Sequence, residues 1–168
     1  NRESGKSIKE LYVEEGQDVT EGQKLFSYDS EELQLQLDKG GVAVLTVTGF
    51  SMYPTLRHKC DMVTLVKGNP KKHDVILYKR DNGSYVIHRV VKTGTPYICC
   101  GDNQWQKEPV RQEQILAVMT GYTRKGKYHT VHDWRYGLWV WFWMGIFPLR
   151  KPLVLMRQRI GRLLRRIR

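Results

Sequence analysis

Between residues 42 and 122, hydrophobic and polar positions alternate in short runs that predict β-strands. The runs are rich in Val, Ile, Thr and Tyr and are separated by Gly, Pro, Asn and Lys. The predicted strands are 42–48, 61–66, 74–79, 84–92, 96–100 and 115–122. Asp81-Asn82-Gly83 lies between two of them and predicts a hairpin with a type I′ turn. We therefore expect a mostly β fold, a small antiparallel sheet that is coiled or barrel-like.

The first 39 residues follow a different pattern. The segments 8–13, 15–19 and 21–28 predict two short strands that flank glycine turns. Residues 29–39 predict a helix, capped by Asp29 or Ser30 and ended by Gly40-Gly41, although the alternating leucines in this stretch also fit a strand. We place a domain boundary at the glycine pair.

The C-terminal residues combine aromatic and basic side chains. Residues 124–132 are polar and predict a connector, and residues 136–149 contain no charge. This uncharged run is too short to span a bilayer, which takes about 20 apolar residues. The tail 150–168 has eight Lys/Arg and no acid, and its apolar residues at 160, 163, 164 and 167 have helical spacing.

A basic amphipathic helix after a tryptophan-rich run is typical of a segment that lies on an anionic membrane surface. The sequence therefore predicts a peripheral membrane protein with a C-terminal amphipathic helix. A packed C-terminal helix with a basic outer face is the alternative. Nucleic acid is not expected as a partner, because tryptophans at 139, 141 and 143 suit a membrane interface better than a duplex.

Charge and cysteine content refine this description. The chain has 168 residues and a net charge of +11, but residues 1–39 hold five Lys/Arg against ten Asp/Glu, whereas the remainder holds 23 against seven. Cys60, Cys99 and Cys100 fit no metal-ligand spacing, so no metal or cofactor is expected. Cysteines without a disulfide scheme favour a reducing environment, and hence the cytoplasmic face of a membrane. No signal peptide is predicted.

The segment 49–56, Gly-Phe-Ser-Met-Tyr-Pro-Thr-Leu, carries the most informative chemistry. It follows a predicted strand, Gly49 permits a sharp turn, and Pro54 withholds a backbone donor. Ser51 is therefore expected in a turn at a sheet edge. A serine there serves either as a nucleophile or as a residue that caps the turn, and the residues alone leave both roles open.

This segment resembles the Ser-Met-x-Pro box of signal peptidase I and LexA-like serine peptidases. Residues 55–65, 72–78, 85–91 and 100–104 resemble the further boxes of that family, in the same order. The resemblance covers about half of the chain. It implies a serine endopeptidase that cleaves signal or leader peptides after small residues, with the substrate bound as an extended strand.

The resemblance also implies roles for individual residues. Ser51 is the expected nucleophile, and His88 is the expected general base, at the position where Ser-Lys enzymes carry a lysine. The chain thus resembles the Ser-His branch, typical of endoplasmic-reticulum and archaeal-like enzymes. A histidine base predicts that kcat/KM rises with pH through about 6 to 7. Lys79 and Lys92 are reserve bases, and two further histidines, His58 and His73, lie in predicted turns.

Either Asp102, in the Gly-Asp-Asn box, or Glu108 is expected to orient the imidazole. Asp102 equally fits a structural turn residue, and Lys107-Glu108 stands where the family has two aspartates. The expected oxyanion donors are the backbone N–H groups of Ser51 and Phe50. Gly49 replaces the serine that supplies a side-chain donor in many signal peptidases.

Residues 1–39 resemble half of a lipoyl or biotinyl-like hammerhead of membrane-fusion adaptors, although Lys24 lacks the flanking methionines of a modified lysine. We expect three parts: an appended segment 1–39, a peptidase domain 40–133 and a membrane-surface segment 134–168. The alternatives are a noncatalytic LexA-like module that binds peptide or DNA, and an adaptor of a peptide-export system.

Overall fold

The computed structural model describes residues 8–11, 26–28, 33, 35, 37, 39–150 and 152. Within these residues the fold is mostly β, as the sequence predicts. The strands are β1 Ile8–Leu11, β2 Phe26–Tyr28, β3 Ala43–Thr46, β4 Asp61–Val66, β5 Val75–Lys79, β6 Tyr85–Lys92, β7 Tyr97–Cys100, β8 Glu108–Val110, β9 Ile115–Arg124 and β10 Lys127–Thr130. The helices are α1 Trp134–Gly145 and two 3₁₀ turns, Gln112–Gln114 and Phe147–Leu149.

Eight strands form one antiparallel sheet in the order β3-β4-β9-β5-β6-β7-β8, with β10 paired to β9. β9 is the longest strand and connects the two halves. One of its edges pairs with β4, and the other pairs first with β5 and then with β10. β1 and β2 form a separate antiparallel pair.

Strand β5 is buried on both faces of the sheet. Successive strand residues point to opposite faces, so Val75 and Leu77 join one cluster whereas Ile76 and Tyr78 join the other. The first cluster also contains Met52 and the other buried residues of the segment after β3. Every member of the second cluster comes from the sheet itself, which indicates that the strands curl around it.

The connection between β5 and β6 differs from the predicted type I′ turn. Of its central residues only Gly83 has a positive φ, at 83°. Arg80 and Ser84 close the loop through a 2.9 Å backbone hydrogen bond, which leaves three residues between them. A three-residue hairpin loop usually ends in a single left-handed glycine. The predicted hairpin is therefore confirmed, and the predicted type I′ turn is wrong.

Two strands were not predicted. Residues 124–132, expected to be a connector, contain β10, which pairs with the end of β9 across Lys125-Gly126. Both turn residues have positive φ, and the strand's polar composition reflects its exposed position. β8 was also missed, because it is three residues long and contains Pro109, which is tolerated at a sheet edge.

In the stretch 29–39 the described residues Leu33, Leu35 and Leu37 are helical, as one of the two interpretations predicted. Leu37 is buried in the first cluster. Lys24, the glycine turns and most of the tail helix predicted in 150–168 lie outside the described residues.

Helix α1 has one packed and one exposed face. Asp133 caps its start by accepting a hydrogen bond from the Arg135 amide, 2.9 Å away. Tyr136, Trp139 and Val140 face the sheet domain. The exposed large apolar side chains are Trp134, Leu138, Trp141 and Phe142, which are between 50 and 73% accessible. No helix within the described residues is long and apolar enough to cross a membrane.

Candidate functional site

Ser51 lies in a tight turn that follows β3. Gly49 has φ of 87°, as predicted for the turn, and its N–H donates to His58 Nδ1 at 2.9 Å. The turn closes through the Leu56 amide, which donates to the Met52 carbonyl at 2.9 Å. Met52 and Leu56 are buried, whereas Ser51 is half-buried. The serine is therefore mounted on a segment fixed by the core.

A second turn, Gly101-Asp102-Asn103, holds the serine turn from the side. The Asn103 amide donates to the Ser51 carbonyl at 2.7 Å. Gly101 approaches so closely that an added Cβ would lie 2.6 Å from the same oxygen. Glycine is therefore required here for close approach of the two turns, whereas Gly49 is needed for its positive φ.

Asp102 is the centre of a buried polar network. Arg89 Nε donates to Asp102 Oδ1 at 2.8 Å and Arg89 Nη2 donates to Oδ2 at 2.7 Å. The Thr55 hydroxyl also donates to Oδ2, at 2.5 Å. Burial alone would raise the pKa of Asp102, but the charge and hydrogen bonds of Arg89 outweigh it and lower the pKa. The carboxylate therefore remains ionised and joins the serine turn to β6.

Helix α1 completes this network. Trp139 Nε1 donates to Thr55 Oγ1 at 3.0 Å, and Trp143 Nε1 donates to the Asp102 carbonyl at 3.2 Å. Arg89 Nη1 donates to the Tyr136 hydroxyl at 3.3 Å. The aromatic run predicted to lie on a membrane thus places half of its rings against the domain.

His88 belongs to a different cluster, on the opposite face of β6. Its Nδ1 lies 2.8 Å from Glu108 Oε1 and 3.1 Å from the Tyr78 hydroxyl. Glu108 is also bound by Arg80, whose Nη2 lies 2.7 Å from Oε2. Burial and the nearby Arg80 lower the pKa of His88 to about 4, and the charge of Asp102 offsets them only in part.

The neutral imidazole has a defined tautomer. Because an ionised carboxylate only accepts hydrogen bonds, Nδ1 carries the proton and donates to Glu108. Nε2 is then the acceptor. Within the described residues no hydrogen bond occupies Nε2, so this nitrogen is free to take a proton.

The structure brings the four predicted site residues together in two pairs. Glu108 contacts His88, and Asp102 anchors the turn that carries Ser51. Asp102 makes no hydrogen bond to His88, so the geometry favours Glu108 as the carboxylate that orients the imidazole. Among the described residues, no hydrogen bond joins Ser51 Oγ to either ring nitrogen of His88.

On its β7 side, β6 has an open edge before Arg89, since no strand in the described part of the chain pairs with it there. The ladder between β6 and β7 ends at the pair Arg89 and Cys100, and β7 continues into the turn that binds Ser51. His88 is the next residue of β6 beyond that pair. The serine turn therefore lies beside the stretch of β6 that contains His88, on the face opposite to the imidazole.

The remaining predicted residues are placed as follows. Lys79 and Lys92 have exposed side chains at strand ends, and His73 lies in a turn at φ of 76°. No acceptor among the described residues takes the backbone N–H of Ser51 or Phe50, the two expected oxyanion donors. No group of three or more His, Cys, Asp or Glu in the described part of the chain is placed to hold a metal ion.

Several site residues were not identified from sequence: Arg80, Tyr78, Arg89, Thr55, Tyr136 and Trp139. Arg89 carried a usable signal, since an arginine between His88 and Val90 in a buried strand requires an acidic partner. The others gave none, because their partners are distant in sequence.

No protein-family model, curated protein or solved structure matches the chain.

Proposed function

We propose that the protein is a serine endopeptidase similar to signal peptidase I, with Ser51 as nucleophile and His88 as general base. The observation that carries the proposal is the buried, neutral imidazole, whose Nδ1 is held by Glu108 and whose Nε2 is free. A base in this state accepts a proton without first losing one. The turn that carries Ser51 is held by the core and by Asn103, and it lies beside the same strand.

The proposed reaction follows the general serine mechanism. An extended peptide adds to the open edge of β6, and Ser51 Oγ attacks the scissile carbonyl while its proton passes to His88 Nε2. Glu108 stabilises the imidazolium, and the N–H groups of Ser51 and Phe50 bind the oxyanion. His88 then protonates the leaving amine, and water hydrolyses the acyl-enzyme. The proposal requires Ser51 Oγ to reach Nε2 in the substrate complex, because catalytic hydrogen bonds often tighten only there.

The test is cleavage of an extended peptide mixture with small residues at varied positions, followed by mass spectrometry of the products. Ser51→Ala is compared with Ser84→Ala, a serine in the exposed hairpin loop. We expect cleavage by the wild type and by Ser84→Ala, and none by Ser51→Ala.

One observation favours a noncatalytic peptide-binding module, namely that Ser51 and His88 make no hydrogen bond and lie on opposite faces of β6. A binding module would retain extended peptides without releasing products. Equal peptide affinity of the wild type and Ser51→Ala, with no cleavage by either, would replace the peptidase proposal with this one.

The pH dependence follows from the lowered pKa of His88. The base is active only when neutral, so kcat/KM should rise with pH through about 4 and be flat from about pH 6 upward. Burial thus moves the rise of kcat/KM below the pH range of 6 to 7 that is expected for an unperturbed histidine. The check is kcat/KM between pH 3.5 and 9. A limb that appears only above pH 8 would indicate a lysine base instead.

We also propose that the protein binds an anionic membrane surface through the exposed face of α1. The four exposed side chains, at 134, 138, 141 and 142, follow helical spacing and form one apolar stripe. Tryptophan at such a position favours the headgroup region, and the eight Lys/Arg of residues 150–168 add attraction to anionic lipids.

Trp141→Ser is expected to reduce binding to phosphatidylserine-containing vesicles by about tenfold, because the side chain is 73% exposed and available for insertion. Vesicle co-sedimentation measures this. Val44→Ser, at an exposed apolar position in β3, is the control and should leave binding unchanged. A point variant is preferable to deletion of residues 136–168, since the deletion also removes Trp139. Unchanged binding of Trp141→Ser would exclude α1 as the membrane contact.

A further inference from the structure

Helix α1 contacts the domain through polar groups as well as apolar rings. Its inner face presents the indole N–H groups of Trp139 and Trp143 and the hydroxyl of Tyr136, and each one is hydrogen-bonded to the network around Asp102. The two indole rings stack on each other, with centroids 5.2 Å apart and planes inclined by 16°. The donors are therefore fixed in direction by their own packing.

These contacts converge on the two turns that hold the serine. Thr55 accepts a hydrogen bond from the Trp139 N–H and lies four residues after Ser51 in the same turn. The Asp102 carbonyl accepts a hydrogen bond from the Trp143 N–H. The next residue, Asn103, donates its amide to the Ser51 carbonyl. Helix α1 thus contacts both supports of Ser51.

The polarity of these contacts distinguishes positioning from simple coverage of the core. A helix that only excludes water would pack as well with Phe or Leu at these sites, because burial of an indole N–H or hydroxyl costs free energy unless it is paired. Here the Thr55 hydroxyl donates to Asp102 and accepts from Trp139. Its orientation is therefore fixed by two partners.

We infer that α1 is a positioning element for the serine turn, and that Trp139 and Tyr136 are its positioning residues. Trp139 fixes the hydroxyl of Thr55, and Tyr136 fixes the guanidinium of Arg89, which in turn orients Asp102. The effect of α1 on catalysis rests on the proposed peptidase function, whereas its effect on the rigidity of the serine turn does not.

The experiment compares Trp139→Phe and Tyr136→Phe with Tyr128→Phe, which removes a hydroxyl from a half-exposed ring in β10. Hydrogen exchange is measured at the amides of Leu56 and Asn103, which close the serine turn and bind Ser51. The Val63 amide in β4 reports global opening. Peptide cleavage is measured on the same proteins.

Loss of one buried hydrogen bond should accelerate exchange at Leu56 and Asn103 by about five- to tenfold, with no change at Val63. Where the wild type cleaves peptides, kcat should fall by about tenfold or more with little change in KM, because small displacements of reacting groups slow the chemical step. Tyr128→Phe should match the wild type in every measurement.

The inference is overturned by unchanged exchange at both amides, by equal acceleration at Val63, or by an unchanged kcat in an active enzyme. If the wild type cleaves no peptide but both amides still exchange faster in the α1 variants, the proposed function fails while the positioning role stands.

Discussion

Ser51→Ala is expected to abolish peptide cleavage, with a loss of about 10⁴-fold or more in kcat, while the fold is retained. The substitution removes one hydroxyl that makes no hydrogen bond among the described residues, so the free energy of unfolding should change little. The carbonyl of residue 51 still accepts from Asn103 in the variant. Cleavage kinetics and urea unfolding measure the two quantities.

His88→Gln should lower kcat by a similar factor, because nucleophile and base act as one unit and their losses are not additive. The double variant should then be no slower than either single variant. A His88→Gln enzyme with near wild-type kcat would remove histidine from the mechanism, and additive losses would indicate that the two residues act independently.

Asp102→Asn is expected to destabilise the protein by about 3–5 kcal/mol, the largest effect on stability that we predict. Arg89 is fully buried, and Asp102 is the acidic group that pairs with it. The side-chain amide of the introduced asparagine is neutral, so it leaves the charge of the Arg89 guanidinium uncompensated and places a hydrogen-bond donor opposite it. Urea unfolding at pH 7 measures the loss. The pKa of Asp102 is lowered by Arg89, so this stabilisation is present above about pH 4 and is lost as the pH falls further.

Asp81→Asn is the matched control for this substitution. Asp81 also pairs with an arginine, Arg111, at 2.6 Å, but both side chains are largely exposed. Solvent screens such a pair, so no measurable change is expected. Equal stability of Asp102→Asn and the wild type would show that the buried pair does not hold the serine turn in place.

The sheet was largely predictable because its signal is local. Strand β4 begins and ends where the sequence predicts, and the other five predicted strands agree within two residues. Alternation along a strand is visible in the strand itself. β10 lacked this signal, since its exposed polar residues resemble a connector until the partner β9 is known.

The candidate site was predictable only in part. Ser51, His88 and Glu108 were named through the resemblance to known boxes, whereas the pairing of Glu108 with Arg80 required the fold. Thr55 and Trp139 are 84 positions apart, and nothing in the aromatic run indicates which ring turns inward. Contacts at such separations depend on how the sheet and α1 pack, which the pattern of a single segment does not contain.

The most direct measurement of the central claim is covalent labelling of the protein with a serine-reactive phosphonate carried on an extended peptide. Mass spectrometry then locates the label. The proposed mechanism predicts that it lies on Ser51, in the tryptic peptide 40–57, and that it is lost in Ser51→Ala and strongly reduced in His88→Gln. Labelling at another residue, or equal labelling of the wild type and His88→Gln, would contradict a serine activated by His88.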